Sequence, residues 1–194
     1  MTKVILFNKP YGVISQFSPN PPHSTLKDYI KLPGFYPAGR LDTDSEGLLI
    51  LTNDGKLQAK ISDPKYKKFK TYWVQVEGNA HAEQLEQLRN GVDLGEFVTA
   101  KALVKTIAEP SGLWERVPPV RFRKTVPTSW LELSICEGKN RQVRRMSAKV
   151  GLPTLRLVRA AIGGISLGDL QPGQWREMSY LDFIKKFNKK TTEL

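Results

Sequence analysis

Gly39-Arg40-Leu41-Asp42-Thr43-Asp44-Ser45-Glu46-Gly47-Leu48-Leu49-Ile50-Leu51 places three carboxylates within five residues, directly ahead of a four-residue aliphatic run. The run reads as a buried strand and the polar stretch before it as a turn. Three familiar patterns lie close to this turn, and each fails. Gly34 and Gly39 have phosphate-loop spacing, but Arg40-Leu41 stands where Lys followed by Ser or Thr is required. Asp42 to Gly47 imitates the start of a calcium-binding loop. Its twelfth position is Asn53 instead of a bidentate Glu, and the aliphatic run fills the ligand positions between. A magnesium site on Asp42 and Asp44, or a metal-dependent nuclease on Asp42, Asp44 and Glu46, would need side chains that alternate in direction near a strand to converge. The other reading of the stretch is a polar turn whose acids cap or pair with nearby bases.

Outward from this stretch, short strands and helices alternate. Residues 4–7 and 13–17 read as paired strands around the turn 8–12. Thr25-Leu26-Lys27-Asp28 fits a capping box opening a short helix that ends near Gly34. Asn53-Asp54-Gly55 reads as a turn closing the aliphatic strand. Tyr72, Val74 and Val76 alternate with polar neighbours as a half-buried strand does. Residues 80–90 form an amphipathic pattern with Leu85 and Leu88 inward, closed by Gly91. Strands are expected over 99–107, 129–136 and 155–161, a helix capped by Asn140 over 140–150, and a last helix opened by Ser179 before a frayed basic tail. This mixed order of short elements predicts an α+β fold with a largely antiparallel mixed sheet.

The chain has 194 residues, 40% of them hydrophobic and 25% charged, which excludes a disordered tail, a collagen or a coiled coil. No apolar stretch reaches the length of a membrane span. The opening residues lack the apolar core of a secretory signal, so a cytoplasmic location is expected. One cysteine, Cys136, excludes an internal disulfide framework. With two histidines, it leaves too few ligands for a structural zinc site.

Thirty Lys and Arg against nineteen Asp and Glu give a net charge of +11. A surplus of that size implies an anionic partner, most simply nucleic acid. The surplus is clustered. Lys60, Lys65, Lys67, Lys68 and Lys70 face one acid, Asp63. Lys139, Arg141, Arg144, Arg145, Lys149, Arg156 and Arg159 face one acid, Glu137. Arg121, Arg123 and Lys124 form a third group. In the helix 140–150, Val143, Met146 and Val150 share the inward stripe and Arg141, Arg144 and Arg145 the opposite face. Lys139 and Arg141 lie at its N-terminal end, where the helix dipole disfavours cations by about 0.3–1 kcal/mol each. An RNA phosphate or a carboxylate such as Asp42 would reverse that sign.

Taken together, Gly39-Arg40-Leu41-Asp42 with Ser45-x-Gly47-Leu48-Leu49, then Lys70-Thr71-Tyr72, then Glu137-Gly138-Lys139-Asn140-Arg141-Gln142-Val143-Arg144-Arg145-Met146, and finally Leu157-x-Arg159 with Ile162-Gly163 resemble the RNA pseudouridine synthases of the ribosomal branch. The motifs stand in the family's order, and the likeness runs from Val4 to about Trp175. The segment 121–130 is most similar to a large-subunit member. The resemblance implies one catalytic domain over 1–194, built of two α+β subdomains flanking a basic cleft and without the small N-terminal RNA-binding module of many members.

It also implies roles. Asp42 would be the catalytic nucleophile or base at the C1′ of a uridine. Tyr72 would stack on the uracil, Leu157 would pack on its other side, and Lys139 would keep the carboxylate ionised. Arg40 would fill the space left by the displaced base. Lys67, Lys68, Lys70, Arg141, Arg144 and Arg145 would bind RNA. No cofactor and no metal are implied. The expected partner is rRNA, of the 23S type, acted on by a monomer; a non-catalytic rRNA-binding or assembly factor is the alternative.

Overall fold

The computed structural model describes residues 1–121 and 123–189. In chain order the elements are β1 (Lys3–Lys9), α1 (Leu26–Tyr29), β2 (Tyr36–Pro37), β3 (Glu46–Thr52), α2 (Gly55–Ser62), β4 (Lys70–Glu77), α3 (Ala82–Asn90), β5 (Leu103–Ile107), β6 (Thr128–Ile135), α4 (Gln142–Lys149), β7 (Thr154–Ile162), β8 (Ile165–Ser166), β9 (Trp175–Ser179) and α5 (Tyr180–Phe187). A single 3₁₀ turn, Pro64–Tyr66, precedes β4. The fold is α+β, as the alternation of short elements predicts. The chain divides into two compact units: Met1–Lys68 with the described residues from Arg159 onward, and Phe69–Val158.

In the first unit, β1 lies between β3 and β9, antiparallel to both, with Ile5 opposite Leu51 and Glu177. Every residue of β3 is buried, which explains an aliphatic run without alternation: the strand is covered on both faces. Ile5, Phe7, Leu49 and Leu51 pack with Leu26, Ile30 and Phe35 into one core. Helix α5 is opened by Ser179, whose Oγ accepts from Asp182 N, and it buries Phe183 and Phe187. The basic tail expected after it falls at 190–194, outside the described residues.

Four local expectations differ here. Residues 13–17 form no hairpin with β1. Instead Ile14 makes a single bridge to Thr25, because both edges of β1 are already taken by β3 and β9. Asn8 and Lys9, read as turn residues, are buried in β1, with Asn8 Nδ2 donating to Leu170 O at 2.8 Å. Helix α1 keeps its Thr25–Asp28 box, with Thr25 N donating to Asp28 Oδ2 at 2.8 Å, but ends at Tyr29. Asn53-Asp54-Gly55 starts a helix: Asp54 Oδ1 accepts from Lys56 N and Leu57 N at the head of α2.

In the second unit the order is β5-β6-β4-β7. The β4·β6 and β5·β6 ladders are antiparallel, with Tyr72 and Val104 both opposite Leu133. Strand β4 alternates as its sequence reads, burying Lys70, Tyr72, Val74 and Val76. Leu85 and Leu88 of α3 and Val143 and Met146 of α4 close the same core. Gly91 ends α3 at φ +100°, and a Cβ there would meet Thr99 O at 2.4 Å, so the residue allows both the turn and the close approach. Helix α4 starts later than expected. Its cap is Arg141, in the left-handed region at φ 48°, in place of Asn140, and no side chain caps it.

Candidate active site

In the first unit the carboxylate turn is held by its backbone. Ser15 Oγ donates to Leu41 O at 2.8 Å and accepts from Leu41 N at 3.1 Å. Gly12 N donates to Thr43 O at 2.8 Å, and Ser45 N to Asp42 O at 3.0 Å. Bonds thus flank or include Asp42 on both sides, and the residue is half-buried. Glu46 is buried as the first residue of β3. Arg40 is exposed. Among the described residues no three His, Cys, Asp or Glu side chains form a group suited to a metal ion, so Asp42, Asp44 and Glu46 do not converge as the nuclease alternative requires.

Two buried cations explain the concentration of acid. Lys9 is fully buried, donating from Nζ to Val13 O at 2.7 Å and Pro10 O at 3.0 Å. Arg159, also buried, donates from Nε to Leu48 O at 2.8 Å. Burial pushes the Lys9 amine down to about 7; Glu46 opposes that fall, Arg159 adds to it, and Asp44 and Asp42 oppose it. The turn and the two cations therefore form one electrostatic group, in which three carboxylates face two bases. Sequence reading missed Lys9. Its signal was a lysine at the end of an otherwise apolar strand, which reads equally as the first residue of a turn.

In the second unit, Tyr72 and Leu157 belong to the same core cluster and are largely buried. Lys139 stands on the turn ahead of α4. Gln142 Oε1 accepts from Lys139 N at 3.2 Å, and Gln142 Nε2 donates to Glu137 Oε2 at 2.6 Å. Glu137 Oε2 also accepts from Ala100 N at 3.0 Å. Lys139 Nζ lies 3.4 Å from the centroid of the Phe97 ring, and the Arg145 guanidinium lies 5.6 Å from the same ring. Arg145 also pairs with Glu96 at 3.3 Å. Phe97 carried no sequence signal, since it sits in a short connection without periodicity.

The basic residues separate by environment. Lys67 takes a left-handed conformation at φ 48° after the 3₁₀ turn. Lys68 Nζ lies 4.7 Å from the Phe187 ring centroid, its amine lowered by burial and by Lys60. Arg141 is exposed, and Arg144 and Arg145 are half-buried. Lys70, expected to contact RNA, lies inward. It is 8% exposed and donates from Nζ to Glu137 O at 3.1 Å, because its place in β4 turns it inward; it braces the turn that carries Lys139.

Comparison with known proteins defines the class. The family model for RNA pseudouridylate synthases matches residues 3–149. A solved structure described as a pseudouridylate synthase superposes with a TM-score of 0.80 at 26% identity, over 96% of this chain and 74% of that one. The chain belongs to the RNA pseudouridylate synthase family and is an isomerase of that class.

Within the family, it is 58% identical over 176 residues to the ribosomal large subunit pseudouridine synthase E of Vibrio parahaemolyticus, covering 91% of this chain and 74% of that protein. It is likewise 58% identical over 175 residues to the enzyme of the same name from Xanthomonas campestris, covering 89% and 94%.

Proposed function

We propose that the protein converts one uridine of bacterial large-subunit (23S) rRNA to pseudouridine. The observation that carries the reading is a half-buried Asp42 on a backbone-clamped turn, in a chain similar over nine-tenths of its length to large-subunit pseudouridine synthases. A carboxylate suits attack at an anomeric carbon, as in retaining glycosidases. Asp42 acts at C1′ of the target uridine, as nucleophile or as base. The N1–C1′ bond breaks, the uracil turns, and C5 bonds to C1′ in place of N1; the C5 hydrogen leaves as a proton and N1 takes up a proton.

The other roles follow the same chemistry. Tyr72 stacks on the uracil and Leu157 packs against it. Lys139 supplies positive charge at the reacting centre, as a point charge without the bidentate fork of arginine. Extrusion of a stacked uridine costs a few kcal/mol, and the exposed Arg40 offsets it by filling the vacated place. Lys67, Lys68, Arg141, Arg144 and Arg145 hold phosphates, which makes binding fall steeply with salt.

Release of tritium from rRNA labelled at uridine C5 tests the reading. The wild-type protein releases one tritium per target site and Asp42→Asn releases none above background, with EDTA present throughout. Release by Asp42→Asn at the wild-type rate removes Asp42 from its role. Tight rRNA binding without release by the wild type identifies a binding factor instead.

A further inference from the structure

A cavity of about 480 Å³ opens in the first unit, apart from the carboxylate turn, between the segment around Phe17 and residues 27–36. Its floor is apolar, with Ile30 and Phe35 buried in the core. Its rim carries two kinds of group. Phe17 is half-buried and Tyr36 is 61% exposed, an unusual position for a large aromatic side chain. Lys27 and Lys31 are exposed beside them, with Lys31 Nζ donating to Lys27 O at 2.8 Å. Among the described residues no acid lines the cavity. The nearest in sequence, Asp28, has its carboxylate turned to Thr25 N.

Aromatic faces, an apolar floor and a cationic rim together suit a flat heterocycle joined to a phosphate. Stacking serves the base whatever its identity, and the lysines serve the backbone. The volume lies within the range of small-ligand sites. Connectivity ties the cavity to the carboxylate turn. The segment that supplies Phe17 begins at Ser15, which grips Leu41. The segment that supplies Phe35 and Tyr36 runs on through β2 to Asp42. Both walls therefore extend from the same clamp that fixes the residue ahead of Asp42.

We infer that this cavity holds an unpaired nucleotide of the RNA substrate, one flanking the target uridine, with its base against Tyr36 and Phe17 and its phosphate at Lys27 and Lys31. The inference rests on the proposed RNA substrate and adds a second point of attachment, which fixes the strand's register relative to Asp42.

Steady-state tritium release from an rRNA fragment tests it. Tyr36 pairs with Thr52 through its backbone, so side-chain replacement leaves the strand pairing intact. Tyr36→Ala raises KM about tenfold with kcat within about twofold, and Tyr36→Phe restores the wild-type value. The double variant Lys27→Gln/Lys31→Gln raises KM about five- to tenfold, more at low salt than at high. In the wild type, abasic substitution at one flanking nucleotide reproduces the rise, and the same RNA adds nothing further in Tyr36→Ala. Unchanged KM in both variants, loss of kcat alone, or an abasic effect undiminished in Tyr36→Ala overturns the inference while leaving the wild-type activity standing. Absence of turnover by the wild type fails the RNA reading itself, and the cavity assignment with it.

Discussion

Ser15 closes a two-way bond on Leu41, its hydroxyl accepting from the amide and donating to the carbonyl of the residue immediately before Asp42. A backbone gripped from both sides is restrained at that residue, and on the proposed function this restraint positions the carboxylate that follows. Ser15→Ala leaves a buried amide and carbonyl without their partner, at about 1–3 kcal/mol of stability. Because the loss is one of aim, kcat should fall about ten- to a hundredfold with KM nearly unchanged. A variant that loses stability but keeps kcat would show that the clamp only supports the fold.

Lys9 gives the protein a signature in its pH stability. Its amine titrates near 7 when folded and at about 10.5 when unfolded, so between those values the unfolded chain binds more protons. Stability should therefore rise with pH across that window, by about 1 kcal/mol per pH unit for one proton. Below pH 7 the cost of burying the charge is fully present and the slope vanishes. Urea midpoints measured between pH 7.5 and 9.5 should climb in the wild type and stay comparatively flat in Lys9→Met. Parallel profiles would mean that Lys9 stays charged inside the fold, matched by Glu46, Asp44 and Asp42.

Lys139 and Arg144 separate chemistry from attachment. On the proposed function, Lys139→Met should lower turnover by about a hundredfold or more, with RNA affinity within about threefold, since a charge used in the chemistry is lost. Arg144→Glu should weaken binding and flatten the dependence of affinity on salt, with kcat preserved at saturating RNA. Equal losses of affinity in the two variants would make Lys139 a phosphate contact.

Phe97 is expected to act through Lys139. Phe97→Leu removes the ring from under the ammonium, a contact of about 0.5–2 kcal/mol, while Arg145 keeps its pair with Glu96. Turnover should drop about three- to tenfold and Phe97→Trp should restore it. An effect on thermal stability alone would assign the ring to packing.

Much of the fold was legible because its signals are local. The aliphatic run of β3, the alternation of Tyr72, Val74 and Val76 in β4, and α3 closed by Gly91 each follow from a periodicity or a cap within a dozen residues. What escaped depends on distance. The partners of β1 lie about forty and more than one hundred and sixty residues further along the chain, so a neighbouring segment looked like its mate. Asn53-Asp54-Gly55 suits a turn and a helix start equally, and the amides of Lys56 and Leu57 decide it. Arg141 took the cap because the turn that carries Lys139 is fixed by Glu137, Gln142 and Lys70. At the site, Asp42 stood out from its motif, whereas Lys9 and Phe97 became visible only through their surroundings.

The division of the chain also sets an order of events during synthesis. Residues 69–158 form a continuous unit, whereas the first unit needs β9 beside β1, and β9 is made more than one hundred and sixty residues later. A chain emerging N-terminus first can thus complete its middle before its beginning. Until residues 175–179 leave the ribosome, one edge of the first strand, rich in Val, Ile, Leu and Phe, stays open to other chains. A stop codon placed late in the gene would therefore produce a sticky intermediate instead of a trimmed enzyme.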